Sequence, residues 1–284
     1  MHDLTYRHGF IEAAGNFQQD NFGRGGLGND PIVINFLEGM PYARAEFVHA
    51  PDGERPQLNI RSPSGISARN HLALNNDVLV HEYIHGLVGR LVGGPLINIC
   101  MAYPETAAIS EGAGDFVALL VRMRATTVRS ARLSFGSREH AGSLRSYPYS
   151  ADMSVNPTRY DLLNNKAWRH PHKMGEVWAS VLLDMYWNLV DKLGFDTNLY
   201  SARVERGNTL ALKLLIASLQ LMPCNASLTQ ARNALLEAER QLTLGAHQCE
   251  LWKAFAKRGL GVAARGGDAN VVADGSVPQE CMRK

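Results

Sequence analysis

No stretch of this sequence approaches the ~20 uncharged apolar residues that a membrane helix needs, and the opening Met1-His2-Asp3-Leu4-Thr5-Tyr6 lacks the apolar centre of a signal peptide. A membrane partner is therefore not expected. An excess of one charge is missing too, since 29 Lys and Arg against 27 Asp and Glu leave a net +2, too little for a broad phosphate-binding face. Nucleic acid is not an expected partner either. Cysteine is scarce: Cys100, Cys224, Cys249 and Cys281 are widely spaced, with no Cys-x-x-Cys to mark a zinc ribbon or a redox pair. Two disulfides can form if the protein is exported, with their pairing left open. Asn225-Ala226-Ser227 is a glycosylation sequon, meaningful only in a secretory compartment. Aspartate-rich loops of the EF-hand kind, internal repeats and low-complexity segments are all absent.

What is present is a chain of 284 residues, 45% hydrophobic and 20% charged, enough to bury one large core or two joined lobes. The first third is rich in glycine, proline and asparagine, and its short runs at Pro31–Phe36, Arg44–Val48 and Gln57–Arg61 read as strands between turns. From Asp77 the apolar spacing becomes helical. Helices are expected over about Asp77–Val92, capped by Asn76 or Asp77, then Ile109–Thr126, Lys173–Leu193 closed by Gly194, and Asn208–Leu221 closed by Pro223. Ser227 and Gln230 form a capping box for a helix reaching about Leu244, and Gln248–Arg258 is the last. The fold class expected is α+β, a strand-containing lobe over about 1–92 followed by a helical lobe over about 93–284.

The chemistry concentrates in His81-Glu82-Tyr83-Ile84-His85. Residues four apart share a helical face, so His81 and His85 can both offer a ring nitrogen to one zinc ion. Glu82, one step round the helix, stands beside the ion without ligating it and suits a general base towards water. Catalytic zinc takes a third protein ligand, and in one large class this is a glutamate on the following helix, where Glu111 stands. Asp115, four residues on, shares its face and can accept a hydrogen bond from the outward nitrogen of a ligating histidine. Each residue also has an ordinary reading: packing for the histidines, a dipole-favoured N-terminal carboxylate for Glu111, a solvated charge for Asp115. A decoy lies upstream, because Gly23-Arg24-Gly25-Gly26-Leu27-Gly28 has the Gly-x-Gly-x-x-Gly spacing but is followed by Pro31 and a strand-like run instead of a helix. It reads as a loop.

The two motifs, His81-Glu82-Tyr83-Ile84-His85-Gly86 and Glu111-Gly112-Ala113-Gly114-Asp115-Phe116, resemble the gluzincin arrangement and more narrowly the fungalysin family of fungal extracellular zinc metallopeptidases. His2-Asp3-Leu4, Gly15-Asn16-Phe17-Gln18, Tyr147-Pro148-Tyr149-Ser150, Gly175-Glu176-Val177-Trp178 and Pro223-Cys224-Asn225 extend the resemblance in collinear order over nearly the whole chain. Ala113-Gly114 stand where the family usually has Trp-Ser, and Ala217-Ser218 where it has Asp-Gly. The resemblance implies a two-lobed zincin fold with one Zn2+ in the cleft, and endopeptidase action on extracellular protein or peptide substrates. It also implies a secreted zymogen with an inhibitory propeptide absent from this chain, and a chain that begins inside the catalytic domain. His172 matches a family histidine and is a candidate donor to the oxyanion; Tyr83, Tyr147 and Tyr149 read as structural. The alternatives are a truncated or inactive homologue acting as a binding protein, and an exopeptidase, for which no terminus-recognising motif is present.

Overall fold

The computed structural model describes residues 1–65, 71–136, 144–266 and 270–282. A short helix α1 (His2–Arg7) opens the chain, followed by strands β1 (Val33–Leu37), β2 (Arg44–Val48) and β3 (Gln57–Arg61). The helices α2 (Asn76–Leu91), α3 (Pro104–Arg122), α4 (Pro171–Leu193), α5 (Gly207–Gln220), α6 (Leu228–Thr243) and α7 (Gln248–Lys257) follow. The fold is α+β.

The sheet has the order β1-β3-β2, with β1 parallel and β2 antiparallel to the central β3; Asn35 pairs with Asn59 and Phe47 with Leu58. Leu58 and Ile60 are buried, and Phe47 lies over Gly86 of α2 so closely that a Cβ there would stand 2.4 Å from its ring. Only a glycine admits that contact. Arg90, itself buried near the end of α2, binds Asp30 at 2.6 Å, the Gly15 carbonyl at 2.9 Å and the Ala50 carbonyl at 2.8 Å. Its one guanidinium ties the loops around the sheet to the helix, as a buried cation must if its desolvation is to be offset.

Behind the sheet the helices pack around α4, whose Val177, Trp178, Val181, Leu182, Leu183, Met185 and Leu189 are fully enclosed by α3, α5 and α7. Truncating one such leucine to alanine costs about 2–5 kcal/mol. The disulfides pair Cys100 with Cys224 and Cys249 with Cys281.

Several boundaries differ from expectation. The cap of α2 is Asn75, whose Oδ1 accepts from the N–H groups of Asp77 and Val78; the Asp77 carboxylate instead accepts from Gly136 N and pairs with Arg122. Helix α3 starts at Pro104, five residues before Ile109, because proline is well placed in a first turn where no N–H is needed. It ends at Arg122 and not Thr126, since Met123 is already extended. The capping box at Ser227 and Gln230 is present, and the glycine-rich segment 23–28 is a loop with no helix after it. The short α1 was not expected.

Candidate metal centre

Helix α2 projects His81 and His85 from one face towards α3, which projects Glu111 back. One ligand atom from each of the three lies within 4.8 Å of the others. His81 Nε2 is 3.3 Å from Glu111 Oε2, and His85 Nε2 is 3.6 Å from Glu111 Oε1. These distances are too long for strong hydrogen bonds and leave room for an ion among the three. Two imidazoles and one carboxylate form the donor set of catalytic zinc sites, three protein ligands with an open position. Glu111 is the eighth residue of α3, beyond the reach of the helix dipole, so its position is not explained as an N-terminal carboxylate.

The neighbours orient these side chains. Ser110 Oγ lies 2.7 Å from His85 Nδ1, fixing that ring with Nε2 towards Glu111. Asp115 Oδ1 lies 2.9 Å from His81 Nδ1, a close charge contact whose N–H is not in line. Asp115 also accepts from Arg145 Nε at 2.6 Å, from Arg145 Nη2 at 2.8 Å and from the Tyr149 hydroxyl. Gly114 permits this approach, because a Cβ on it would meet His81 Nδ1 at 2.6 Å. The segment carrying Arg145 and Tyr149 is held by the pair of backbone hydrogen bonds between Leu133 and Tyr149, each 2.8 Å, and Phe135 within it packs on the His81 ring. Arg145 also reaches Glu111, at 3.5 Å.

Charge follows from these contacts. Burial works against a proton on His81, but Asp115 and Glu111 outweigh it and raise the ring to about 10. Burial, aided by the charge of His81, drives His85 down to about 3. Burial would raise Glu111, yet the two histidines hold its carboxyl at about 2. The site without an ion thus carries a proton on one ring and a carboxylate on the other helix, and an ion entering it takes the place of that proton. Glu82 differs: burial pushes its carboxyl up to about 7, and its Oε2 is buried with no hydrogen-bond partner among the described residues.

His172, second residue of α4, brings Nε2 to 3.4 Å from Glu111 Oε1 and remains half exposed. Tyr83 is buried and bonded to Thr5 at 3.0 Å, Tyr149 is occupied by Asp115, and Tyr147 is exposed. Sequence reasoning missed Ser110 and Arg145. Ser110 had a signal, since it directly precedes Glu111; Arg145 lies in a long loop without periodicity and had none.

The fungalysin metallopeptidase (M36) family model matches residues 1–264. Extracellular metalloproteinase 9 of Uncinocarpus reesii is 37% identical over 287 residues, covering 99% of this chain and 45% of the relative. Extracellular metalloproteinase 1 of Arthroderma otae is 38% identical over 286 residues, with the same coverages. Extracellular metalloproteinase mep of Aspergillus flavus is 38% identical over 285 residues, covering 98% and 45%. The chain therefore spans less than half the length of these curated relatives. On the match over residues 1–264, the chain belongs to the fungalysin metallopeptidase family.

Proposed function

We propose that the chain carries the catalytic site of a zinc metalloendopeptidase acting on extracellular protein or peptide substrates, with residues of about 1–92 and 93–284 forming the two sides of its cleft. The observation that carries this reading is the convergence of His81, His85 and Glu111 with an unpartnered, buried Glu82 oxygen beside them. His81, His85 and Glu111 would hold the ion, and Asp115 and Ser110 set the orientation of the two rings. When bound, zinc supplies a Lewis acid that polarises the scissile carbonyl and makes water acidic enough to attack near neutral pH.

The rest is the work of side chains. Glu82, with a carboxyl balanced near neutrality, takes the proton of the attacking water on Oε2 and returns it to the leaving amine. His172 donates from Nε2 to the oxygen on which negative charge develops. Among the described residues strand β2, next to α2, pairs only with β3, so its outer edge offers backbone groups to an extended peptide. In the proposed whole protein an inhibitory propeptide precedes this segment and secretion delivers it outside the cell. The names of the relatives and the sequon support the extracellular location, and no helix among the described residues is long and apolar enough to cross a membrane.

Replacing Glu82 tests the reading. Glu82→Gln is expected to keep one equivalent of zinc while casein cleavage falls by about 10²–10⁴-fold. Undiminished cleavage would remove Glu82 from the mechanism; zinc bound by the unaltered chain without any cleavage would leave a binding protein.

A further inference from the structure

A second pair of histidines lies at the mouth of the site. His170, the N-cap of α4, and His172 bring their Nδ1 atoms to 3.3 Å, with near-parallel rings, 15° between planes, and centroids 5.0 Å apart. Both side chains are exposed. Nitrogens each about 2.0–2.1 Å from a tetrahedral zinc ion lie about 3.3–3.4 Å apart, and their ring centroids about 5 Å apart. The observed separations match both values.

The orientation of the His172 ring also points this way. Its Nε2 faces Glu111 Oε1 at 3.4 Å, which leaves Nδ1 as the ring nitrogen turned towards His170. The 3.3 Å contact is a long hydrogen bond in the metal-free chain, and an ion accepting a lone pair from each nitrogen would take the place of its proton at ordinary bond lengths.

We propose that His170 and His172 form a second binding site for a borderline transition-metal ion such as Zn2+, separate from the centre formed by His81, His85 and Glu111. Imidazole is a ligand of choice for Zn2+, Cu2+ and Ni2+. Among the described residues no third side chain joins the pair, so water completes the ion's shell, and the positive end of the α4 dipole works against it. The carboxylate of Glu111 partly offsets that dipole. Binding at this site is consequently weaker than at the three-ligand centre. An ion on Nδ1 also holds the His172 ring with Nε2 on the side of Glu111, so that filling the outer site fixes a group lining the inner one. The site needs only these two rings and the grip of Glu111; it does not depend on the protein being a peptidase.

Titration of the metal-free chain with Zn2+, followed by calorimetry, tests this. The unaltered chain is expected to take up two equivalents in a tight and a weaker step. His170→Asn, which retains a good N-cap for α4, is expected to lose the weaker step and keep the tight one unchanged, with the same helical circular dichroism. A chain that stops at one equivalent, or a weaker step that survives in His170→Asn, would overturn the proposal, the latter by placing the second ion elsewhere.

Discussion

Gly175 lies so close to Glu111 that a Cβ added to it would stand 2.5 Å from the Cβ of Glu111 and 3.0 Å from the backbone nitrogen of Gly112. Gly112 reciprocates, since its own added Cβ would meet the Gly175 carbonyl at 2.7 Å and Trp178 Cβ at 2.8 Å. Two glycines thus let α3 and α4 cross in close contact, and that crossing carries His172 to within 3.4 Å of Glu111.

Gly175→Ala should therefore be felt at both levels. Overpacking at this crossing is expected to destabilise the fold by about 1–3 kcal/mol and to weaken metal binding by displacing Glu111. Urea unfolding and a chelator competition measure the two. An unchanged midpoint and affinity would mean that the helices separate freely and that the close crossing is not needed.

Asp115 is expected to matter to the metal without touching it. Removing its carboxylate frees His81 to rotate and leaves the buried Arg145 without its main partner, so Asp115→Ala should reduce zinc affinity by about 10–100-fold. Asp115→Asn, which retains an acceptor oxygen, should lose less. Equal affinities in all three proteins would exclude an orienting role.

His8 gives a pH dependence remote from the metal. The ring is buried and its Nε2 donates to the Leu199 carbonyl at 2.9 Å, while Nδ1 has no partner among the described residues. Burial pushes its pKa from 6.5 down to about 4. In the unfolded chain the ring takes up a proton as the pH falls through about 6.5, and in the folded chain only near 4, so between these values the unfolded state binds more protons. Stability should fall across that window, by up to about 3 kcal/mol, and this contribution should not change further below it. In His8→Asn the loss between pH 7 and pH 4.5, measured by urea unfolding, should shrink. An unaltered loss would place the acid sensitivity in other groups.

Much of the architecture was legible because it rests on local chemistry. Strands β2 and β3 fall on the expected residues, and α4 to α7 match to within two residues at each end, since Gly194, Pro223 and the Ser227–Gln230 box are signals the backbone itself requires. The start of α3 was missed because Pro104, Glu105 and Thr106 carry no apolar period, and its first turn is held by tertiary contacts such as Thr106 Oγ1 to the Cys224 carbonyl at 3.0 Å. Helix α1, six residues long, is too short to show a period and owes its existence to packing. At the site, residues on one helical face were readable from spacing alone: His81 with His85, and Glu111 with Asp115. Arg145 was not, because loop closure brings it to Asp115 from far along the chain, and the contact of His170 with His172 depends on side-chain rotation that spacing does not encode.

The central claim, that His81, His85 and Glu111 hold one catalytic zinc ion, is tested most directly by elemental analysis of the purified chain paired with casein digestion before and after chelation. The account predicts one tightly held zinc per chain, retained after dialysis that strips weaker ions, and cleavage that chelator abolishes and zinc restores. A folded chain that holds no zinc, or digestion that chelator leaves untouched, would contradict it.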